Sequence, residues 1–389
     1  MSELHVMYTL KLKKELGIDT SRIFYYRNNR KPPEEVNYAP RNSWSVIEGQ
    51  KITAPGLVAD QSYLNLMDWG MRNVIAVGLR ERVCFYDTEA GKKSVGFNYG
   101  DELVSSVSWC PEGLDALAIG LKNSLVHLLD PNTNQAIRTF DSWGVGSLAW
   151  NGRILTTGSR DGHIVNYDVR VGTQVARLRK SHRRAICGLK WSASGQLLAS
   201  GGSDNVVHVW DARSMPTRWL HKLEDHNAAV RAVAWCPLKR HLLASGGGQG
   251  DHYIRLWDAS SGTPHENAVD TGSEVCGLLW SKHYQDILFS SHGFGVSESV
   301  PDNRLILWRS PVLFKLDEID LQYDHPPALD LRPKPYFFST QSPDGCEVAL
   351  AGNDQIVRFY DVFAAPPPPE PAAKPAFSTY NRPNHYTIR

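Results

Sequence analysis

The chain has 389 residues, 42% of them hydrophobic, which allows a large core, and no stretch approaches the roughly 18 consecutive apolar residues of a membrane span. A formal charge of +1 gives no global attraction to nucleic acid, so the expectation is a soluble protein that binds neither membrane nor nucleic acid. Six cysteines without a CxxC pair or a preceding secretory signal, and fourteen histidines without metal-ligand spacing, predict reduced thiols in cytoplasm and nucleus, with no metal site and no cofactor.

Residues 1–43 read as a polar tail, in which Tyr8–Leu16 fits one amphipathic helix ended by Gly17. The stretch Trp44–Val58 has strand-like pieces and is expected to supply an outer strand that closes a ring of repeats onto its last member. A repeat then begins. Trp69, Trp109, Trp150, Trp191, Trp235 and Trp280 each end a short alternating apolar strand, at steps of 40, 41, 41, 44 and 45 residues. Within that beat, seven further strands end at Tyr86-Asp87, Leu129-Asp130, Tyr167-Asp168, Trp210-Asp211, Trp257-Asp258, Leu307-Trp308 and Tyr360-Asp361. A period near 40 with several short strands and a closing Trp-Asp predicts an all-β, seven-bladed WD-repeat propeller over residues 44–363.

Between the paired strands, 198–205 (LASGGSDN) and 243–248 (LASGGG) mark a turn, and the aspartate of its Gly-Gly-x-Asp step can bond its own backbone or a neighbouring His. Ser181-His182 and Asp225-His226 are the expected partners, in a structural rather than a catalytic role. The basic run Arg177–Arg184 is read as a solvated loop between the third and fourth units rather than a docking site. In the last unit Gln341-Ser342-Pro343-Asp344-Gly345 stands where Trp109-Cys110-Pro111-Glu112-Gly113 stands earlier, so the tryptophan is lost, and two longer loops are expected at Gly293–Asn303 and Pro326–Tyr336. No Walker loop, GxSxG elbow, HExxH or kinase signature occurs, which favours a binding platform over an enzyme. From Ala364, with Pro366–Pro369, Pro371 and Pro375, the chain becomes an extended spacer that ends in Ile388-Arg389. An apolar side chain beside a guanidinium and a free carboxylate on such a leash suits capture by a receptor pocket.

Ala54-Pro55-Gly56-Leu57 followed by Tyr63–Trp69 (YLNLMDW) resembles the opening motif of the fizzy and fizzy-related activators of the anaphase-promoting complex. Ile186–Trp191 with Leu198–Gly202, Val233–Pro237 and Val275–Trp280 are similar to the same family's strand motifs, and Ile388-Arg389 to its C-terminal tail. The resemblance spans about Arg22 to Phe363 plus the last two residues. It implies a tail docked on a TPR subunit of the complex and a propeller that holds the degrons of substrates such as cyclins. The family's N-terminal Asp-Arg-Phe/Tyr-Ile-Pro motif is absent; Thr20–Pro33 resembles the linker after it, so a short isoform or part of a longer protein is expected.

The resemblance also assigns receptor positions. The two acids that hold a destruction-box arginine correspond to Thr53 and Gln355, with Asp60 and Tyr63 nearby and Asp60 shifted by one inserted residue. At the KEN-box site the family's Asn, Thr, Gln and Arg are replaced by Ser203, Gln249, Glu274 and Ala328, while Asn205 survives. Removing two charge partners of a desolvated arginine costs about 2–5 kcal/mol. Poor binding of standard degrons follows, as for a divergent member with narrowed or altered substrates, similar in this to the insect cortex branch used in female meiosis. The competing expectations are an activator and substrate adaptor, a pseudo-activator that occupies the ligase through its tail, and a generic WD-repeat scaffold.

Overall fold

The computed structural model describes residues 45–57, 64–111, 115–178, 181–215, 218–295, 303–321, 338–352 and 354–363. The two predicted tails, Tyr8–Leu16 among them, lie outside these residues, as do most of both long loops; the strand that precedes the first loop runs through to Gly295.

Seven antiparallel sheets form the propeller. Blade one holds Met67–Trp69, Val74–Leu79, Arg82–Asp87 and Lys92–Asn98, in that order from the innermost strand outward, and the pattern repeats along the chain. Chain position dictates chemistry. Second strands are sealed on both faces, so Leu242–Gly247 is buried throughout and reads as an apolar run with small residues. Outermost strands face solvent, and Lys92–Asn98 is exposed along most of its length. Adjacent blades approach so closely that a Cβ on Gly188 would lie 2.3 Å from Arg231 O, and one on Gly201 2.4 Å from Val230 O. Only glycine fits there.

The expected seven blades and seven strand endings are observed. Blade five departs from four simple strands: its outermost position is divided between Thr263–Pro264 and Val269–Asp270, both paired with Tyr253–Asp258. The ring closes as predicted. Ile47–Thr53 is the outermost strand of blade seven, running from Ile47 opposite Asp361 to Thr53 opposite Ile356, with an irregularity between Glu48 and Lys51. Val46 N–H adds a 2.8 Å bond to Asp317 Oδ2 of blade six, and Trp69 of blade one meets Phe359 of blade seven edge-on at 5.5 Å. Pairing the first and last segments of the ring covers an edge that would otherwise be open.

Three of the closing tryptophans tie their blade to the backbone of the one before it. Trp150 Nε1 donates to Ser108 O (3.2 Å), Trp235 Nε1 to Lys190 O (2.9 Å) and Trp280 Nε1 to Ala234 O (3.1 Å). In blade seven Gln341 ends the innermost strand instead and bonds Gly345 O at 3.0 Å, while the buried Trp69 Nε1 of the following blade has no partner. The Asp68 carboxylate of blade one bridges both neighbours, accepting Trp109 N–H at 2.7 Å and Ser108 Oγ–H at 3.2 Å from blade two, with Thr340 Oγ1 of blade seven at 3.4 Å.

His182 and His226 take the predicted partners. In blade four His182 Nδ1 lies 2.9 Å from Asp204 and Nε2 2.8 Å from Ser200 Oγ, which also accepts Trp210 Nε1–H at 2.9 Å. In blade five His226, Asp251, Ser245 and Trp257 repeat this with separations of 2.5, 2.7 and 2.7 Å. One proton order satisfies every atom: tryptophan donates to serine, serine to Nε2, and Nδ1–H to aspartate. Burial alone would raise the Asp204 carboxyl, but hydrogen bonds from His182 and Arg183 N–H hold it at about 2.

The basic run is not the solvated loop the composition suggests. Arg177 belongs to the outer strand Thr173–Leu178 and stacks on Trp143 at 3.4 Å, and Ser181 and His182 are buried. Only Arg183 and Arg184 of its described residues are exposed, because the strand of blade three and the histidine of blade four claim the others.

Candidate functional site

In an up-and-down blade, the turn from second to third strand and the link to the next blade share one end, and the other two turns share the opposite end. Gln355 lies in the second-to-third turn of blade seven and Thr53 at the link into blade one, so both stand on one face where these blades meet. Thr53 and Ile356 are Cα partners, Ala54 N–H donates to Gln355 O at 2.6 Å, and Gly56 N–H donates to Gln355 Oε1 at 3.0 Å. Both side chains are exposed. Gln355 holds a φ of +61°, a left-handed conformation uncommon for a non-glycine residue, and its bonds to residues 54 and 56 tie that turn to the closing strand.

The same face carries a second group at its centre. Ser203 and Asn205 occupy the second-to-third turn of blade four, where Ser203 Oγ donates to Ala185 O at 3.0 Å and Asn205 Nδ2 to Asn227 O at 2.9 Å. Glu274, at the start of the innermost strand of blade six, is 8% exposed; burial raises its carboxyl, and Arg231 opposes that rise. Cys187 Sγ lies 3.5 Å from Ser203 Oγ, and burial pushes its thiol up. Gln249 is exposed in the corresponding turn of blade five. Asp60, Tyr63, Ala328, Ile388 and Arg389 lie outside the described residues.

Sequence reasoning missed two cations. Arg231 interrupts an otherwise apolar innermost strand, is 8% exposed, and donates from Nη2 to Leu64 O at 2.9 Å beneath the central mouth. A charge inside a buried strand was the available signal. Lys93 reaches from the outer strand of blade one to Thr53 O at 2.8 Å, and nothing in a strand beginning Lys92-Lys93 indicates which lysine points at blade seven. Below the mouth an axial cavity of about 330 Å³ is lined by Asn65, Asp68, Lys190, Arg231 and Lys282 among others. A larger cavity of about 620 Å³, lined by Met71, Arg72, Trp109 and Asp115, opens between blades one and two at the end opposite Thr53 and Gln355. Among the described residues no group of three or more His, Cys, Asp or Glu side chains is arranged to hold a metal, and all six cysteines are free thiols.

The CDC20/Fizzy WD40 domain model matches residues 52–360. The chain belongs to the CDC20/Fizzy family. It is similar to the Arabidopsis thaliana "Cell division cycle 20.5, cofactor of APC complex", 43% identical over 92% of this chain and 80% of that one. It is likewise similar to the Arabidopsis thaliana "Cell division cycle 20.1, cofactor of APC complex", 40% identical over 95% and 82% of the two chains. Among solved structures, a chain of "Crystal Structure of Mitotic Checkpoint Complex" superposes with a TM-score of 0.73 at 37% identity, covering 85% of this chain and 96% of that one. The two Arabidopsis relatives are named as cofactors of the APC complex, and the solved chain shares the fold described above.

Proposed function

We propose that this CDC20/Fizzy protein is an activator and substrate adaptor of the anaphase-promoting complex, recruiting mitotic or meiotic substrates such as cyclins through its propeller in cytoplasm and nucleus. Family membership at about two-fifths identity to proteins named as cofactors of that complex is the observation that carries it. In this reading the chain catalyses nothing itself. Ile388 and Arg389 dock on a TPR subunit, and Thr53, Gln355, Ser203, Asn205, Gln249, Glu274, Ala328, Asp60 and Tyr63 contribute to degron-receptor positions that differ from the family pattern. A reconstituted ubiquitination assay of a cyclin with and without the full chain tests it: faster ubiquitin transfer is expected, and no acceleration sinks the activator role. Deleting Ile388 and Arg389 should sharply reduce co-purification with the complex while leaving thermal unfolding unchanged.

One observation favours a second reading, a pseudo-activator that occupies the ligase without presenting substrate. At the rim the Gln355 carboxamide oxygen is already engaged by Gly56 N–H, and neither Gln355 nor Thr53 carries a charge for an incoming arginine. Inhibition of a second activator in the same assay, dependent on Ile388 and Arg389, distinguishes it.

A further inference from the structure

The rim between blades seven and one carries a cation that the receptor positions do not include. Lys93 is exposed, crosses the gap between the two outer strands, and donates from Nζ to the backbone carbonyl of Thr53 at 2.8 Å. Asp354, in the turn that carries Gln355, is already committed to Arg358. The residue whose carbonyl Lys93 holds, Thr53, is uncharged, and so is Gln355, which reaches the same link through Gly56 N–H. Among the described residues no carboxylate is paired with Lys93.

We propose that this rim selects extended substrate segments bearing an aspartate or glutamate, with Lys93 as the residue that sets the preference. The inference rests on the reading of the chain as a substrate adaptor and gives the chemical class of what it adapts. A carboxylate entering the gap accepts a charge-assisted bond from Lys93 in place of the weaker one to a backbone carbonyl. An arginine in the same place meets a like charge and no uncommitted acid. Because Lys93 is exposed, the preference is modest, about threefold to fivefold, and is screened by salt.

The test is fluorescence anisotropy on the full chain with two labelled peptides, identical except for glutamate or arginine at one central position. Native protein should bind the glutamate peptide about threefold to fivefold more tightly at low salt, with the difference shrinking at high salt. Lys93→Gln should equalise the two peptides and Lys93→Glu should invert their order, while Lys92→Gln, whose side chain lines the cavity between blades one and two, should leave it unchanged. Arginine preference in the native protein, an unaltered preference in Lys93→Gln, or binding of neither peptide would each overturn the inference. Co-purification with the ligase, read on the same preparation, reports separately on the adaptor role, so failure of one is distinguishable from failure of the other.

Discussion

Blade four and blade seven use the same turn between their second and third strands for different ends. In blade four the turn runs Gly202-Ser203-Asp204-Asn205; in blade seven Gly352, Asp354 and Gln355 hold the matching places, and the last residue has a positive φ in both, +67° at Asn205 and +61° at Gln355. Asp204 turns inward to His182, whereas Asp354 pairs with Arg358 four residues on. Blade five combines both arrangements, since Asp251 meets His226 at 2.5 Å and Arg255 at 3.0 Å. The aspartate therefore belongs to the interior, and the residue after it belongs to the surface. Substitutions at the second position can change what the propeller face binds while the first continues to hold the blade.

The largest expected effect breaks the inward half of that turn. Asp251 has no exposed side-chain surface and satisfies both His226 and Arg255, so Asp251→Ala removes the buried carboxylate that both of them hold. A loss of about 3–5 kcal/mol is expected in urea unfolding. Gln355→Ala, one place along in the equivalent turn, should cost about 1 kcal/mol or less, since it removes one exposed bond to Gly56 N–H. Similar losses for the two would show that the division between interior and surface positions is wrong.

Acid separates the same two regions. Burial lowers His226 and holds His208 and His292 at about 3. An unfolded histidine titrates near 6.5, so each folded value lies below the unfolded one. Their contribution is fully present above about pH 6.5 and is lost as pH falls below it, by up to about 1.4 kcal/mol per pH unit for each histidine. The melting temperature should therefore drop between pH 7 and pH 5. Thr53 and Gln355 do not titrate, so peptide binding at the rim should change little while the protein remains folded. A flat melting temperature over that interval would contradict the buried neutral histidines.

Much of the scaffold was legible because its signals are local and periodic. A tryptophan near every fortieth residue marks an innermost strand, and a paired apolar-Asp ending marks a third strand, so blade number follows from counting. The closing strand could be anticipated because a ring needs its ends joined. Contacts between blades are not local, which is why the reach of Lys93 to Thr53 and the engagement of Gln355 by Gly56 carried no pattern along the chain. The basic run 177–184 misled for a related reason: its charge is visible in the sequence, but the Trp143 ring that receives Arg177 comes from another blade junction. Blade five hides its divided outer strand in Ser260–Asp270, a polar stretch with no alternation to mark two short pairings.

The most discriminating effect concerns the outward half of the turn in blade seven. Thr53→Asp with Gln355→Glu places two carboxylates at adjoining positions, since Thr53 pairs with Ile356 and Ala54 N–H bonds Gln355 O. Glutamate at 355 keeps an oxygen for Gly56 N–H, so the turn should survive. A destruction-box peptide should then bind about tenfold more tightly, roughly 1.4 kcal/mol. Either single change should give less than half of that, because two acids around one guanidinium act together. Lys93 makes the order of the singles predictable: it already reaches the Thr53 backbone, so an aspartate there is partly neutralised and Thr53→Asp alone should gain least. Adding Lys93→Gln to the double variant should raise affinity again by removing that competitor. Titrating one labelled peptide against the native chain, both singles, the double and the triple decides the matter. Tight binding already in the native chain, or no gain in the triple, would mean that the arginine docks elsewhere on the propeller and that this turn faces solvent without a ligand.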